Sequence, residues 1–320
     1  MELSPDIEEV VEGVRAGRTR ALARAITLVE NARPEARGLL AALFPHAKDG
    51  LVVGVTGPPG AGKSSLVDRL TSRLRRDGQT VGVVAVDPTS PFSGGAILGD
   101  RIRMQSHATD PGVFIRSMAT RGQLGGLAAT TDQVLSVLLA AERDVVLVET
   151  VGVGQDEVDI VDSADVSLVV LVPGLGDEVQ ALKAGIMEIA DVFVVNKADR
   201  DGVEKLVAEI EAMLSFAGDA GEAPRIVKTV ATEDRGTGEL LEAVLAFHRE
   251  AEASGALARR RRARLRRQLE TAVRQRVMAH VRARVLSPAE LEETVGRMAD
   301  RVVDPETAAD EIVGRMGLLP

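Results

Sequence analysis

The sequence predicts an α/β protein with a doubly wound, mainly parallel sheet and helical extensions at both ends. Three observations carry this expectation. Seven short apolar runs, 51–56, 81–86, 113–115, 145–149, 167–172, 192–195 and 226–230, are separated by longer amphipathic stretches. Most of the runs are Val-rich and continuous rather than alternating, as strands buried on both faces are. Hydrophobic residues make up 45% but aromatics only 2%, with no Trp or Tyr, so the core must rest on Val, Leu, Ile and Ala. Strand–helix alternation implies right-handed βαβ units. Ligands of such sheets sit beyond the carboxyl ends of the strands, so chemistry is expected just after these runs.

The flanks read differently. Residues 1–47 have helical spacing, with breaks near Gly17 and Pro34. Residues 48–253 form the strand–helix core, and 254–320 form a helical tail broken at Pro288 and Pro305. The formal net charge of −9 argues against broad nucleic-acid binding. The absence of cysteine excludes disulfides, iron–sulfur ligation and thiol nucleophiles. Four histidines, His46, His107, His248 and His280, are too scattered to suggest a Cys/His metal site. The acidic N-terminus lacks the basic and apolar regions of a signal peptide, and no apolar run approaches the ~18 residues of a membrane span. The expectation is a soluble, cytoplasmic protein.

Gly57-Pro58-Pro59-Gly60-Ala61-Gly62-Lys63-Ser64 follows the first Val-rich run and opens a helix from Ser65 to about Arg76. It satisfies G-x-x-x-x-G-K-[ST] in strand–loop–helix context, the P-loop signature. The glycines let backbone N–H groups converge on one point, and the helix N-terminus adds its positive dipole end. Lys63 would place a charge on the terminal phosphates and Ser64 would ligate Mg²⁺, with the 57–65 segment, Ser65 included, cradling the nucleotide.

The run 145–149 ends in Glu149, followed three residues on by Gly152. An acid ending a buried strand is costly unless it faces a cation or water. Here it would face Mg²⁺ directly or through water, with the Gly152 N–H near the γ-phosphate. The pattern is E-x-x-G rather than the commoner D-x-x-G. Asp87 ends the second strand in the same way, and a glycine-containing loop leads to Asp100. Both are candidates for Mg²⁺ or for positioning water, in competition with a plain turn or helix-capping role. Lys63, Asp100, Glu149 and Gly152 form the predicted catalytic set.

Asn196-Lys197-Ala198-Asp199 follows the run 192–195. A carboxylate there can accept from guanine N1–H and the 2-amino group, both of which adenine lacks in that form, so mismatch leaves a polar group unpaired. Lys197 can pack its stem over the base. Thr229, Val230 and Ala231, after the last strand, are candidates for backbone contacts to it. The combined motifs imply a G domain of the P-loop NTPase class.

Beyond these motifs, the chain resembles the MeaB/ArgK-type GTPases, G-protein chaperones of coenzyme B12-dependent acyl-CoA mutases. The matching segments are VTGPPGAGKSSL at 55–66, AVDPTSPFSGGAILGDRIRM at 85–104, IRSMATRGQLGGLA at 115–128, VETVGVGQDE at 148–157, LVPGLGDEVQALKAGIMEIADVFVVNKAD at 171–199 and DPETAAD at 304–310. The resemblance implies a GTPase that gates loading of adenosylcobalamin into a mutase and clears damaged cofactor. A cobalamin adenosyltransferase is a further implied partner. It also implies a homodimer joined through the C-terminal helical arm, Mg²⁺ held by Ser64, Asp87, Asp100 and Glu149, and GTP/GDP as substrate and product. A partner-coupling loop is implied at roughly 173–183, with Asp177, Glu178 and Lys183 as its charged members or, alternatively, Glu178 and Lys183 as solvated charges. No D-x-H-x-x-G cobalamin signature occurs, so the mutase is expected on another chain. No equivalent of the water-positioning glutamine of Ras-like GTPases stands out; Gln155 lies six residues after Glu149 without an assigned role.

Three rivals remain. A nickel-type metallochaperone GTPase shares the domain class but needs Cys and His to carry metal. A P-loop kinase of a transport protein or small molecule conflicts with the guanine motif. A purely structural nucleotide-binding subunit has no need of Lys63, Ser64 and Glu149 together. Finally, seven arginines fall within 259–267, which reads as a solvated or dimer-arm helix rather than a nucleic-acid patch, because no aromatics interleave.

Overall fold

The computed structural model describes residues 3–87, 105–119, 126–150, 152, 163–174, 189–216 and 224–316. The chain divides into two compact units, Met1–Arg261 and Arg262–Pro320.

The first unit is built on a seven-stranded sheet in which every pairing is parallel. Its strands are β1 Leu51–Thr56, β2 Val81–Asp87, β3 Val113–Ala119, β4 Val145–Glu149, β5 Val166–Leu171, β6 Val192–Asn196 and β7 Arg225–Thr229, in the spatial order β3-β2-β4-β1-β5-β6-β7. The order reverses direction around β1, which places the crevice beyond its carboxyl end. All seven apolar runs are strands. β3 extends beyond its apolar start because Arg116 and Ser117 continue the ladder beside β2. Arg116 makes its polar end acceptable by pairing with Glu30.

Continuous apolar runs follow from burial on both faces. Val52, Val84, Val146 and Val148 join one core, with Val134 and Leu138 of α5 (Gly126–Ala140) and with the three N-terminal helices, α1 (Pro5–Arg15), α2 (Thr19–Glu30) and α3 (Ala36–Leu43). Toward the other edge the same face is covered by α6 (Val203–Phe216), which packs Leu206 and Ile210 against Val169, Phe193 and Val195. The alternate residues Val53, Val55, Val83 and Leu147 face α4 (Lys63–Arg76) and α7 (Thr237–Ala253) through Leu66, Leu70, Leu240 and Val244. Each such side chain contributes about 1.5–3 kcal/mol of apolar burial. β7 is one of the two edge strands, and there burial is incomplete.

At the opposite end of the sheet from the P-loop, two buried aspartates begin strands. Asp165 accepts from the Val52 N–H at 3.1 Å, and Asp191 accepts from the Ser167 N–H at 2.9 Å. Their charges are met by consecutive arginines at the start of α8 (Ala256–His280). Arg260 forks onto both oxygens of Asp191 at 2.8 and 2.7 Å, and Arg261 onto both of Asp165 at 3.1 and 2.9 Å. Bidentate pairing of this kind is the strong form of the ion pair. The Asp165 carboxylate holds the Arg261 guanidinium above its ordinary pKa, against the lowering by burial. The Arg260 guanidinium also lies 5.1 Å from the Phe247 ring centroid. Two of the seven clustered arginines are thus structural counter-charges rather than a solvated face.

In the second unit, α9 (Pro288–Ala299) and α10 (Pro305–Gly314) both start with proline in the first turn, as the sequence breaks imply. Ser287 and Glu290 form a reciprocal capping box, and Asp304 caps the amides of Glu306 and Thr307. Arg297 pairs with Glu311, and Arg315 with Glu290.

Candidate functional site

The site lies beyond the carboxyl ends of β1, β4, β6 and β7. After β1 the chain enters the 57–62 loop with Gly57 at φ 140°, Gly60 at 75° and Gly62 at 90°. These positive values need glycine. At Gly57 a Cβ would also stand 2.1 Å from the Val170 carbonyl oxygen of β5, and at Gly62 one would stand 2.4 Å from Asn196 Nδ2. The loop is therefore pressed against both neighbouring strand ends. α4 starts at Lys63, two residues before the start read from the sequence. Its first turn directs the amides of Lys63, Ser64 and Ser65 toward the loop.

Lys63 is buried, and its Nζ donates to the carbonyls of Gly57 at 2.8 Å and Pro58 at 3.1 Å. The ammonium thus spans the mouth of its own loop. Ser64 Oγ donates to Glu149 Oε1 at 2.6 Å, and both residues are buried. The two groups read as Mg²⁺ ligands are therefore adjacent, and a hydroxyl beside a carboxylate is the all-oxygen set a hard cation prefers. Among the described residues no three His, Cys, Asp or Glu side chains gather into a cage. Gly152 is held close by: its carbonyl accepts from Thr56 Oγ1 at 2.9 Å, and Thr150 Oγ1 donates to Thr56 Oγ1 at 3.0 Å. Thr56 and Thr150, each 1% exposed, tie the end of β4 to the residue just before the P-loop.

Asn196 links the two halves of the site. Its Nδ2 donates to the Ala61 carbonyl of the P-loop at 2.7 Å. Its Oδ1 accepts from Thr229 Oγ1 at 3.0 Å and from the Ala231 N–H at 3.2 Å. Lys197, at φ 57°, reaches back with Nζ to the Gly60 carbonyl at 2.7 Å. Asp199 is exposed at the rim. Val230 and Ala231 are buried beside Thr229.

The structure therefore brings together Gly57 to Ser65, Glu149, Gly152, Asn196, Lys197 and Thr229 to Ala231, with Asp199 exposed in the turn after β6. Asp100, Gln155, Asp177, Glu178 and Lys183, and the side chain of Asp87, lie outside the described residues. Motif reading does not single out Thr56, Thr150 or the arginines of α4. Only the spacing of Arg69, Arg73 and Arg76 along one helix face could have pointed to the last group.

Fold and sequence define a P-loop GTPase. The pattern of the family described as "Methylmalonyl Co-A mutase-associated GTPase MeaB" matches residues 22–285, and the chain belongs to that family. A Pyrococcus abyssi protein whose name designates a GTPase is 49% identical over 311 residues, covering 96% of both chains. GTPase ArgK of Escherichia coli is 38% identical over 261 residues, covering 78% of each. A crystal structure described as a LAO/AO transport system kinase superposes with a TM-score of 0.74 at 28% identity, covering 99% of this chain and 100% of that one.

Proposed function

We propose that this GTPase is Mg²⁺-dependent and serves as a G-protein chaperone for an adenosylcobalamin-dependent acyl-CoA mutase on a separate chain, gating cofactor loading and the removal of damaged cofactor. The observation that carries the hydrolytic part is the 2.6 Å Ser64–Glu149 contact beside Lys63. The family description, which names methylmalonyl-CoA mutase, supports the choice of partner.

In this reading Lys63 exchanges its two loop carbonyls for phosphate oxygens, which costs little because it trades one set of acceptors for charged ones. The amides at the start of α4 and around Gly60 and Gly62 orient the phosphates. Ser64 and Glu149 hold Mg²⁺, with Asp87 and Asp100 as further candidates; when bound, the ion offsets charge developing between the β- and γ-phosphates. Asn196 keeps the phosphate loop and the base loop in register, and Asp199 reads the guanine 2-amino edge. The partner then acts through the 173–183 segment, with Asp177, Glu178 and Lys183. A cobalamin adenosyltransferase is a further proposed partner.

The remaining expectations are a homodimer and a cytoplasmic location. Leu265, Leu269, Val273 and Val277 recur every four residues on α8 and are 41–65% exposed, which supports self-association through the arm. Among the described residues no helix is long and apolar enough to cross a membrane.

Steady-state hydrolysis with Mg²⁺, alone and with individual B12-dependent acyl-CoA mutases, tests the proposal, with ATP as control. GTP-selective turnover accelerated by one mutase supports it. Turnover indifferent to every mutase removes the chaperone role and leaves the GTPase. The kinase name of the superposed structure favours one second reading, and ATP consumed as readily as GTP would select it.

A further inference from the structure

The helix that starts in the phosphate loop also grips the loop on the base side. On α4, Arg69, Arg73 and Arg76 are spaced four and three residues apart and share a face. Arg69 Nε donates to the Ala231 carbonyl at 3.1 Å. Arg73 Nε donates to Asp234 Oδ1 at 3.1 Å and Thr237 Oγ1 at 2.7 Å, and its Nη2 donates to the Asp234 carbonyl at 3.1 Å. Arg76 adds a longer ion pair to the same carboxylate at 3.5 Å. Burial pushes the Asp234 carboxyl up, but the Thr237 hydroxyl and the Arg73 guanidinium hold it below its ordinary pKa.

The loop they hold is closed on itself. The Val230 N–H donates to the Arg235 carbonyl at 2.9 Å, and the Arg235 N–H returns to Val230 at 3.3 Å. Asp234 sits at φ 55°, and a Cβ on Gly236 would stand 2.0 Å from the Lys228 carbonyl oxygen. The Ala231 peptide is thereby fixed at both ends. Its N–H goes to Asn196, which itself bonds the phosphate loop, and its carbonyl goes to Arg69.

We infer that Arg69 and Arg73 are positioning residues for recognition of a 6-oxopurine base, holding the Thr229–Ala231 backbone in its binding arrangement before the nucleotide arrives. This rests on the reading of that backbone as a base contact. The Ala231 N–H, which Asn196 Oδ1 accepts at 3.2 Å in the free protein, would be shared with or turned to an oxo group, whereas adenine presents an amino donor at the same ring position. Neither arginine touches the nucleotide in this scheme. Their effect is on the free protein, because a loop already ordered loses less entropy on binding. Losing them therefore weakens binding of ground and transition states alike, which raises KM and spares kcat.

The test uses the full chain with Arg69→Ala, Arg73→Ala, Arg73→Lys and Thr237→Val, measuring KM and kcat for GTP, ITP and ATP and the melting temperature of each variant. The expected result is a KM raised about tenfold for GTP and ITP equally in Arg73→Ala, the equivalent of ~1.4 kcal/mol, with kcat within about twofold. Arg73→Lys, which keeps one charged contact, recovers part of the loss. Thr237→Val, a milder change, moves KM in the same direction and keeps the inference testable should Arg73→Ala fail to fold. Unchanged KM in folded Arg variants, or a fall in kcat at constant KM, overturns the inference while leaving guanine recognition intact. A wild-type chain that does not distinguish GTP from ATP overturns the guanine reading itself, whatever the arginines do.

Discussion

Replacing Asn196 by alanine is the perturbation whose cost follows most directly from the structure. Asn196 is 2% exposed and makes hydrogen bonds to Ala61, Thr229 and Ala231, at 2.7, 3.0 and 3.2 Å. Each is worth about 1 kcal/mol net, and the buried carbonyl, hydroxyl and amide left behind lose their partner, so the total loss is about 3 kcal/mol. For a unit of this size that is a fall in Tm of roughly 6–12 °C, at about 2–4 °C per kcal/mol. Thr229→Val removes one of the three with little change of shape and should cost about 1 kcal/mol. The assay is urea unfolding of Asn196→Ala, Thr229→Val and wild type, with GDP binding followed in parallel. GDP affinity should fall in Asn196→Ala, because the phosphate and base loops lose their direct bridge. An Asn196→Ala protein within 1 kcal/mol of wild type would refute the reasoning, since it would mean that the two loops keep their positions without the link.

Gly57→Ala forces a Cβ to 2.1 Å from the Val170 carbonyl oxygen at φ 140°, and neither backbone can yield cheaply. It should cost about 3 kcal/mol or more and abolish nucleotide binding, read by calorimetry, whereas Gly60→Ala, with nothing within 4 Å, meets only the strain of its backbone angle. Removing Mg²⁺ with a chelator, or Ser64→Ala, should reduce GTP hydrolysis at least a hundredfold, an order-of-magnitude figure for loss of charge stabilisation at the transferred group, measured by phosphate release. The Arg75 guanidinium forks onto Asp110 through Nε and Nη2, each at 2.9 Å, and this hydrogen bonding, followed by the Gly112 amide, holds the Asp110 carboxyl below its ordinary range. A depressed carboxylate contributes stability that is fully present above its unfolded pKa of about 3.9 and is lost as pH falls toward the folded value. The stability gap between wild type and Asp110→Asn should therefore be constant near neutrality and shrink below about pH 4, as followed by urea midpoints.

Much of this was legible in the sequence, and for identifiable reasons. Val52 and Val53 belong to opposite cores yet are adjacent in the chain, so a strand buried on both faces writes itself as a continuous apolar run. Lys63, Ser64 and Asn196 announce themselves because their spacing is local. Arg73 and Asp234 do not, being 161 residues apart. An arginine on an amphipathic helix looks the same whether it faces water or a carboxylate from a distant loop. Arg260 and Arg261 are obscured further by their neighbours, since a run of seven arginines hides the two that meet buried aspartates. Thr56 and Thr150 carry no motif at all; their role appears only when parallel pairing sets β1 beside β4.

The same two arginines decide where the nucleotide-binding half of the chain can be severed. Composition suggests a cut near residue 253, ahead of the arginine-rich helix. Such a cut would discard Arg260 and Arg261 and strand two carboxylates, Asp165 at 1% exposure and Asp191 at 8%, at the foot of adjacent strands. Removing one partner of a buried pair costs about 3–5 kcal/mol, and two such losses rival the whole stability of an ordinary domain. The first turns of the tail are thus a foundation of the sheet rather than an appendage to it. A minimal nucleotide-binding fragment has to carry them, and its natural end is at or beyond Arg261.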